Sequence, residues 1–82
     1  MKQKKLGKVE RTERGFELVN FTDCNGNPCG LQASSLAIYE KPGTSAVWLG
    51  QDDHRMHLNR EQVAALVAAL QSWLKRDTFK IK

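Results

Sequence analysis

The sequence predicts an α+β fold: a small antiparallel sheet of three to five strands, connected as a meander, packs against one C-terminal α-helix. Three observations support this prediction. A capping motif and an apolar stripe mark a helix at residues 60–76. Alternating apolar residues mark short strands between residues 16 and 58, and Asn25-Gly26 marks a hairpin between two of them.

The helix begins with the clearest local signal in the chain. Asn59 is a favourable N-cap residue, and Gln62 is placed where its side chain can reach back to the Asn59 backbone N–H. Leu58 and Val63 can pack together as a hydrophobic staple around the cap. The apolar residues that follow, here called the helix stripe, are predicted to lie against the sheet: Val63, Leu66, Val67, Leu70, Trp73 and Leu74.

The opposite side of the helix is built from small residues. Its members are Ala65, Ala68, Ala69 and Ser72, with Arg76 at the end. Alanine is the best helix former and simply fills solvated positions under one interpretation. Under the other, the small residues allow close approach of a partner, either a second copy in a homodimer or another protein. The sequence leaves both open.

The strands are predicted at residues 16–23, 29–35, 47–49 and 56–58, with a weaker first strand at residues 8–12. In the strand predicted at residues 16–23, the apolar pattern changes face between Leu18 and Val19, which indicates a bulge or burial on both faces. Asn25-Gly26 predicts a type I′ turn, since both residues tolerate a positive φ. Residues 78–82 alternate and form either a further strand or a frayed tail.

Charged residues are distributed unevenly along the chain of 82 residues, which has a net charge of +4. We assign residues 1–15 to a basic tail or weak first strand and residues 16–82 to a single α+β domain. A basic tail either contacts phosphates or stays solvated. The candidates for nucleic-acid contact are Lys2, Lys4, Lys5, Lys8, Arg11 and Arg14.

The composition favours a cytoplasmic protein without a membrane partner. No apolar run approaches the roughly 20 residues needed to cross a bilayer, and the first residues lack the apolar segment of a secretory signal. Two cysteines without an export signal are interpreted as reduced thiols.

Cys24, Cys29, His54 and His57 are the residues that most resemble a metal-ligand set. Four residues separate the cysteines, whereas zinc knuckles usually have two, and the intervening Asn25-Gly26 serves a hairpin instead. We therefore expect no metal and no other cofactor.

The sequence predicts no enzymatic activity. A thiol nucleophile with His57 and Asp52 can be drawn, but no spacing requires it, and a chain this small leaves little room for a cleft. Ser34-Ser35 lacks the glycines of a nucleophile elbow and is predicted to lie at a strand end or in a turn. Trp48 and Trp73 fall in apolar patterns and are predicted to be core residues.

Several short motifs are spread over about residues 16–76. They are Phe21-Thr22-Asp23, Gly26, Cys29, Leu31-Gln32, Ser34-Ser35-Leu36-Ala37, Trp48-Leu49-Gly50, Met56-His57-Leu58 and Glu61-Gln62-Val63. Together they resemble a family of small, uncharacterised bacteriophage and prophage proteins, and Tyr39–Ala46 is an insertion relative to the family pattern. The motifs are structural, so no functional residue is carried over.

The resemblance implies a non-enzymatic protein that binds and inhibits a host protein, including defence nucleases such as CRISPR effectors. The alternatives are a nucleic-acid-binding accessory protein using its basic termini and a sponge for a signalling nucleotide at an oligomer interface. The candidate partner surfaces are the Tyr39–Ala46 connection, the helix residues Ala65, Ala68, Ala69, Ser72 and Arg76, and the loop residues Asp52, Asp53 and Arg55.

Overall fold

The computed structural model describes residues 5–35 and 45–81. Within them lie five strands and one helix: β1 (Val9–Arg11), β2 (Glu17–Thr22), β3 (Pro28–Ser35), β4 (Ser45–Gln51), β5 (His54–Leu58) and α1 (Arg60–Arg76). The strands form one antiparallel sheet in chain order, so the predicted meander and fold class are confirmed. The weaker first strand is present as β1.

The β2–β3 hairpin forms where it was predicted, but the type I′ turn is wrong. Gly26 has a φ of 85° and its N–H donates to the Asp23 carbonyl over 3.0 Å, whereas Asn25 has no positive φ. A type I′ turn needs a positive φ at both central residues. The Asp23 carboxylate accepts from the Asn25 and Asn27 N–H groups, both at 2.9 Å, and this favours a type I turn followed by a left-handed glycine.

The β1–β2 hairpin repeats this connection with other residues. The Gly15 N–H donates to the Thr12 carbonyl over 2.9 Å, and Gly15 has a φ of 89°. The Thr12 hydroxyl accepts from the Phe16 N–H at 3.1 Å, as the Asp23 carboxylate does from N–H groups in the second hairpin. A short polar side chain at the first position and a glycine at the fourth therefore shape both turns.

The pairing register gives the sheet two unlike faces. Leu18 and Val19 are both half-buried and the pairing of β2 with β3 runs through both without a bulge, so their change of face reflects burial on both sides. The polar face carries Leu18, Asn20, Gln32, Ser34, Trp48, Arg55 and His57. The apolar face carries Val9, Val19, Phe21, Cys29, Leu31, Ala33, Val47, Leu49, Met56 and Leu58.

The helix begins at the predicted capping box. The Gln62 N–H donates to Asn59 Oδ1 at 2.8 Å, and the Asn59 N–H donates to Gln62 Oε1 at 3.0 Å. At the other end Asp77 takes a left-handed φ of 56° and its N–H donates to the Trp73 carbonyl at 2.8 Å. Both ends thus satisfy backbone groups that a helix leaves unpaired.

Only the start of the helix stripe lies against the sheet. Val63 and Leu66 are half-buried, and Val63 lines an open groove of about 350 Å³ with Ala33 and Val47 of the apolar face. The later stripe residues are exposed: Val67, Leu70 and Trp73 are each 46% exposed and Leu74 is 76% exposed. The predicted packing of the whole stripe is therefore wrong. Because α1 begins just after the edge strand β5, its first turns stay beside the sheet and its later turns extend away.

Few side chains are enclosed by this arrangement. Among the described residues, the buried apolar side chains are Cys29 at 7% exposure and Ala46 at 5%, and no side chain falls below 2%. Within residues 5–35 and 45–81, no helix is long and apolar enough to cross a bilayer.

The Asp23 turn predicts a pH dependence of stability. Backbone and side-chain N–H groups of Asn27 hold the pKa of Asp23 below its ordinary value. A carboxyl whose pKa is lower in the folded state stabilises fully above its unfolded pKa of about 3.9 and loses this effect as the pH falls through its folded pKa. We expect Asp23→Asn to lower the Tm by a few degrees at neutral pH and by less near about pH 3.

Thermal unfolding followed by circular dichroism measures both values. Asp53→Asn, in the exposed turn between β4 and β5, is the control and should change the Tm less at neutral pH. An Asp23→Asn difference that is equal at the two pH values would contradict the assigned role.

Candidate functional site

Trp48 lies at the centre of the polar face. Its indole ring stacks on the imidazole of His57, with ring centroids 3.9 Å apart and planes only 7° from parallel. The Arg55 guanidinium carbon lies 5.6 Å from the centre of the Trp48 ring, within the range of a cation–π interaction. On the same strand, the residues two positions before and after Trp48 are Ala46 and Gly50.

These small neighbours let side chains from β5 cross β4 and reach β3. His57 Nε2 lies 2.8 Å from Ser34 Oγ, beyond the position of Ala46. Arg55 Nη1 donates to Gln32 Oε1 at 3.0 Å, past Gly50. The two hydrogen bonds fix the groups on each side of Trp48. We call the five side chains of Gln32, Ser34, Trp48, Arg55 and His57 the Trp48 cluster.

A glycine is required at position 50 by the backbone conformation as well as by the Arg55 side chain that crosses β4 there. Gly50 has a φ of 142°, and a Cβ built on it would lie 2.8 Å from the His54 carbonyl oxygen. A side chain here would strain the backbone and also stand between Arg55 and Gln32.

An open hollow of about 550 Å³ adjoins the Trp48 cluster. The β1–β2 connection forms one wall of the hollow, so that Arg14 and Trp48 line the same space. Arg55 and His57 are exposed and Trp48 is half-buried. The hollow is lined by Thr12, Glu13, Arg14, Phe16, Gln32, Ser34, Trp48 and His57.

Ser34 and His57 have the distance of a nucleophile and its base, but their surroundings suit binding better. Activation of a serine needs a third group that orients the imidazole. Within residues 5–35 and 45–81, no carboxylate forms a hydrogen bond with His57, and the ring is held flat against Trp48 instead. The absence of enzymatic activity stays a prediction.

The metal candidates are not brought together. Cys24 is exposed in the β2–β3 connection, whereas Cys29 is buried in β3, and both thiols are free. His54 and His57 lie three residues apart on β5 and so fall on opposite faces of the sheet. The part of the chain that the structure describes holds no group of three or more His, Cys, Asp or Glu residues that could hold a metal ion.

The chain's own C-terminal segment lies on part of the small helix side. Ser72 is only 4% exposed; its hydroxyl donates to the Lys80 carbonyl at 2.7 Å and accepts from Arg76 Nη2 at 2.9 Å. Thus two predicted partner-binding residues hold an internal contact. The remaining members are Ala65, which is exposed, and Ala68 and Ala69, which are half-buried.

The other predicted partner residues lie in different places. Asp52 and Asp53 form the exposed turn between β4 and β5, while Arg55 belongs to the Trp48 cluster. Of the Tyr39–Ala46 connection, residues 39–44 lie outside the described residues, and Ser45 and Ala46 begin β4.

The basic candidates are divided between the two faces. Lys5 and Lys8 line a hollow of about 720 Å³ beside Val9, Val19 and Leu31 on the apolar face. Arg14 lines the hollow on the polar face. The remaining candidates are Arg11, which donates to the Gly15 carbonyl at 2.8 Å, and Lys2 and Lys4, which lie outside the described residues.

Sequence reasoning missed the Trp48 cluster because it treated Trp48 as a core residue and Ser34 as a strand end. The signal was present in the alternation of the strands. Because side chains alternate between the two faces along a strand, Trp48 lies on the opposite face of β4 from Val47 and Leu49 and on the same face as Ala46 and Gly50.

Comparison of the chain with protein-family models, with curated proteins and with solved structures gives no match. The resemblance to phage proteins therefore stays a prediction.

The stacked pair predicts a measurable coupling between Trp48 and His57. Aromatic pairs contribute about 0.5–1.5 kcal/mol beyond area burial. In a double-mutant cycle of Trp48→Ala and His57→Ala, we expect a coupling free energy of roughly 0.5–1 kcal/mol from urea unfolding. The control cycle uses His54→Ala, on the other face, and should be additive. Additivity in both cycles would contradict an energetic role for the stack.

Proposed function

We propose that this protein is a small, non-enzymatic binding protein that modulates or inhibits a host protein through the Trp48 cluster. The observation that carries the proposal is that Trp48 is held between His57 and Arg55 on an accessible sheet face. Tryptophan and arginine dominate the binding energy of protein interfaces. Side chains fixed before binding also lose less entropy when a partner docks.

The mixed polarity of this face fits a partner that binds and leaves. Non-obligate interfaces are about as polar as the rest of a protein surface, with aromatic and arginine anchors near their centre. The hollow beside Trp48 offers space for a protruding partner side chain, and Glu13 and Arg14 in its lining offer charges of both signs to a protein partner.

The biological setting of the proposal comes from the resemblance to phage proteins. A phage-encoded inhibitor acts in the cytoplasm of its bacterial host, and a defence nuclease such as a CRISPR effector is a target of the expected kind. A cleft-based reaction is not part of the proposal.

The test is affinity capture from a bacterial lysate followed by titration of the purified partner. We expect the wild-type chain to retain a stoichiometric protein, and Trp48→Ala or Arg55→Glu to weaken its binding at least about tenfold. Lys75→Glu makes the same change in charge as Arg55→Glu on the exposed end of α1 and should bind normally.

Two outcomes would count against the proposal. One is that no protein is retained in stoichiometric amount. The other is that Lys75→Glu weakens binding as much as Arg55→Glu, which would indicate a general charge effect rather than recognition by the Trp48 cluster.

A nucleic-acid-binding role is the second candidate, because Arg55 lies over the Trp48 ring and Arg14 lines the hollow beside it. Single-stranded nucleic acids are bound by aromatic side chains that stack on bases and by basic residues that contact phosphates. The acidic Glu13 in the same hollow and the division of basic residues between two faces favour the protein partner.

Fluorescence anisotropy with single-stranded oligonucleotides tests this candidate. If it holds, the logarithm of the binding constant falls linearly with the logarithm of the salt concentration, and Trp48→Ala costs about 1–3 kcal/mol of binding free energy. Lys75→Ala is the basic control outside the cluster. The candidate fails if no binding occurs at low salt. If deletion of residues 1–7 leaves tight binding intact, the version based on the basic tail fails.

A further inference from the structure

Many of the larger apolar side chains in residues 5–35 and 45–81 are exposed. On the helix, Leu70 and Trp73 are each 46% exposed and Leu74 is 76% exposed. On the apolar sheet face, Val9 is 58% and Met56 is 52% exposed. Soluble monomers rarely present contiguous apolar surface on this scale, and such surface marks an interaction site.

The total surface shows the same excess. The chain has 7321 Å² of accessible surface, whereas a folded monomer of 9.3 kDa is expected to have about 5,000 Å². Its radius of gyration is 14.3 Å, against about 12 Å for a compact chain of this length. Large obligate interfaces bury about 2,000–5,000 Å² in total, so an excess of about 2,300 Å² on one chain is large enough to accommodate one.

We propose that a second copy of this chain covers this surface, with the helix stripe of each copy on the apolar sheet face of the other. Each chain has one stripe that is exposed from Val67 to Leu74 and one apolar sheet face that is half-buried at its centre and exposed at Val9 and Met56, so a two-fold axis can cover both at once. Any other partner would have to supply an apolar ridge and an apolar floor of its own.

The dimensions and chemistry of the two surfaces match. The stripe from Val63 to Leu74 is about 16 Å long, and the five strands span about 19 Å. The stripe and the centre of the apolar face carry no charged residue, as the core of an obligate interface requires. Polar and charged residues of that face lie at strand ends, Arg11 and Glu17 at one side and Gln51 and His54 at the other, where the rim of an interface would be. Lys5 and Lys8 lie beside this surface, at the hollow next to Val9.

This arrangement leaves the Trp48 cluster outside the interface, because the cluster lies on the other face of the sheet. A dimer would therefore present two such clusters to solvent. The inference is independent of the proposed function, since it requires no partner other than the chain itself.

The test is the mass of the full chain in solution, measured by light scattering, for variants that place a carboxylate on each surface. Leu74→Glu changes the helix stripe and Met56→Glu changes the apolar sheet face. Both residues are largely exposed in the single chain, so neither substitution disturbs its internal packing. The matched controls are Ala65→Glu on the far side of the helix and Asn20→Glu on the polar face, both exposed.

We expect the wild-type chain and both controls to have twice the 9.3 kDa chain mass. Leu74→Glu and Met56→Glu should each weaken association at least about tenfold. The Tm of the wild-type chain should also rise with protein concentration, which supports the inference even if a variant fails to fold. Trp48→Ala should stay dimeric, which separates this result from the proposed function.

The inference is overturned if the wild-type chain has the mass of one copy and a Tm independent of concentration. It is also overturned if the controls dissociate as readily as the variants. Dissociation by only one of the two variants would exclude the reciprocal packing of helix on sheet.

Discussion

This structure depends on one constraint: the sheet is wider than the single helix that lies beside it. Five strands span about 19 Å, while a helix with its side chains is about 10–12 Å wide. Because α1 starts directly after the edge strand β5, its first turns lie near Ala33 and Val47 and the rest of the apolar face stays open. Few side chains are enclosed, so local features contribute much of the order: the capping box, the two glycine turns and the continuous ladder of antiparallel pairs.

The alternation of side chains gives the two faces separate roles. On the polar face, β4 presents a small residue, a tryptophan and a second small residue, and this pattern lets Arg55 and His57 form hydrogen bonds with β3. On the apolar face, the same strands present mainly apolar side chains, which form no hydrogen bonds with one another across the sheet. Hydrogen bonds therefore fix the first surface without a partner, whereas burial is needed to order the second.

Sequence reasoning predicted the elements better than their assembly. The helix at Arg60–Arg76 and its cap at Asn59 depend on neighbours in the chain, and they were predicted correctly. The turn type was wrong because Asp23, rather than Asn25, sets the geometry. The position of the helix stripe could not be predicted, since periodicity shows which residues are apolar but not what covers them. The Trp48 cluster depends on contacts across three strands, and only the register reveals them.

The edges of the sheet have a consequence for how this chain avoids aggregation. β1 is only three residues long and includes Glu10 and Arg11, and the opposite edge strand β5 exposes His54 and Arg55. Short, charged edges discourage a further strand from adding to the sheet. Growth into fibres by repeated strand pairing is thereby disfavoured, although much apolar surface is open. The broad faces of the sheet and the helix stripe, rather than the strand edges, are therefore the surfaces left for another molecule to pack on.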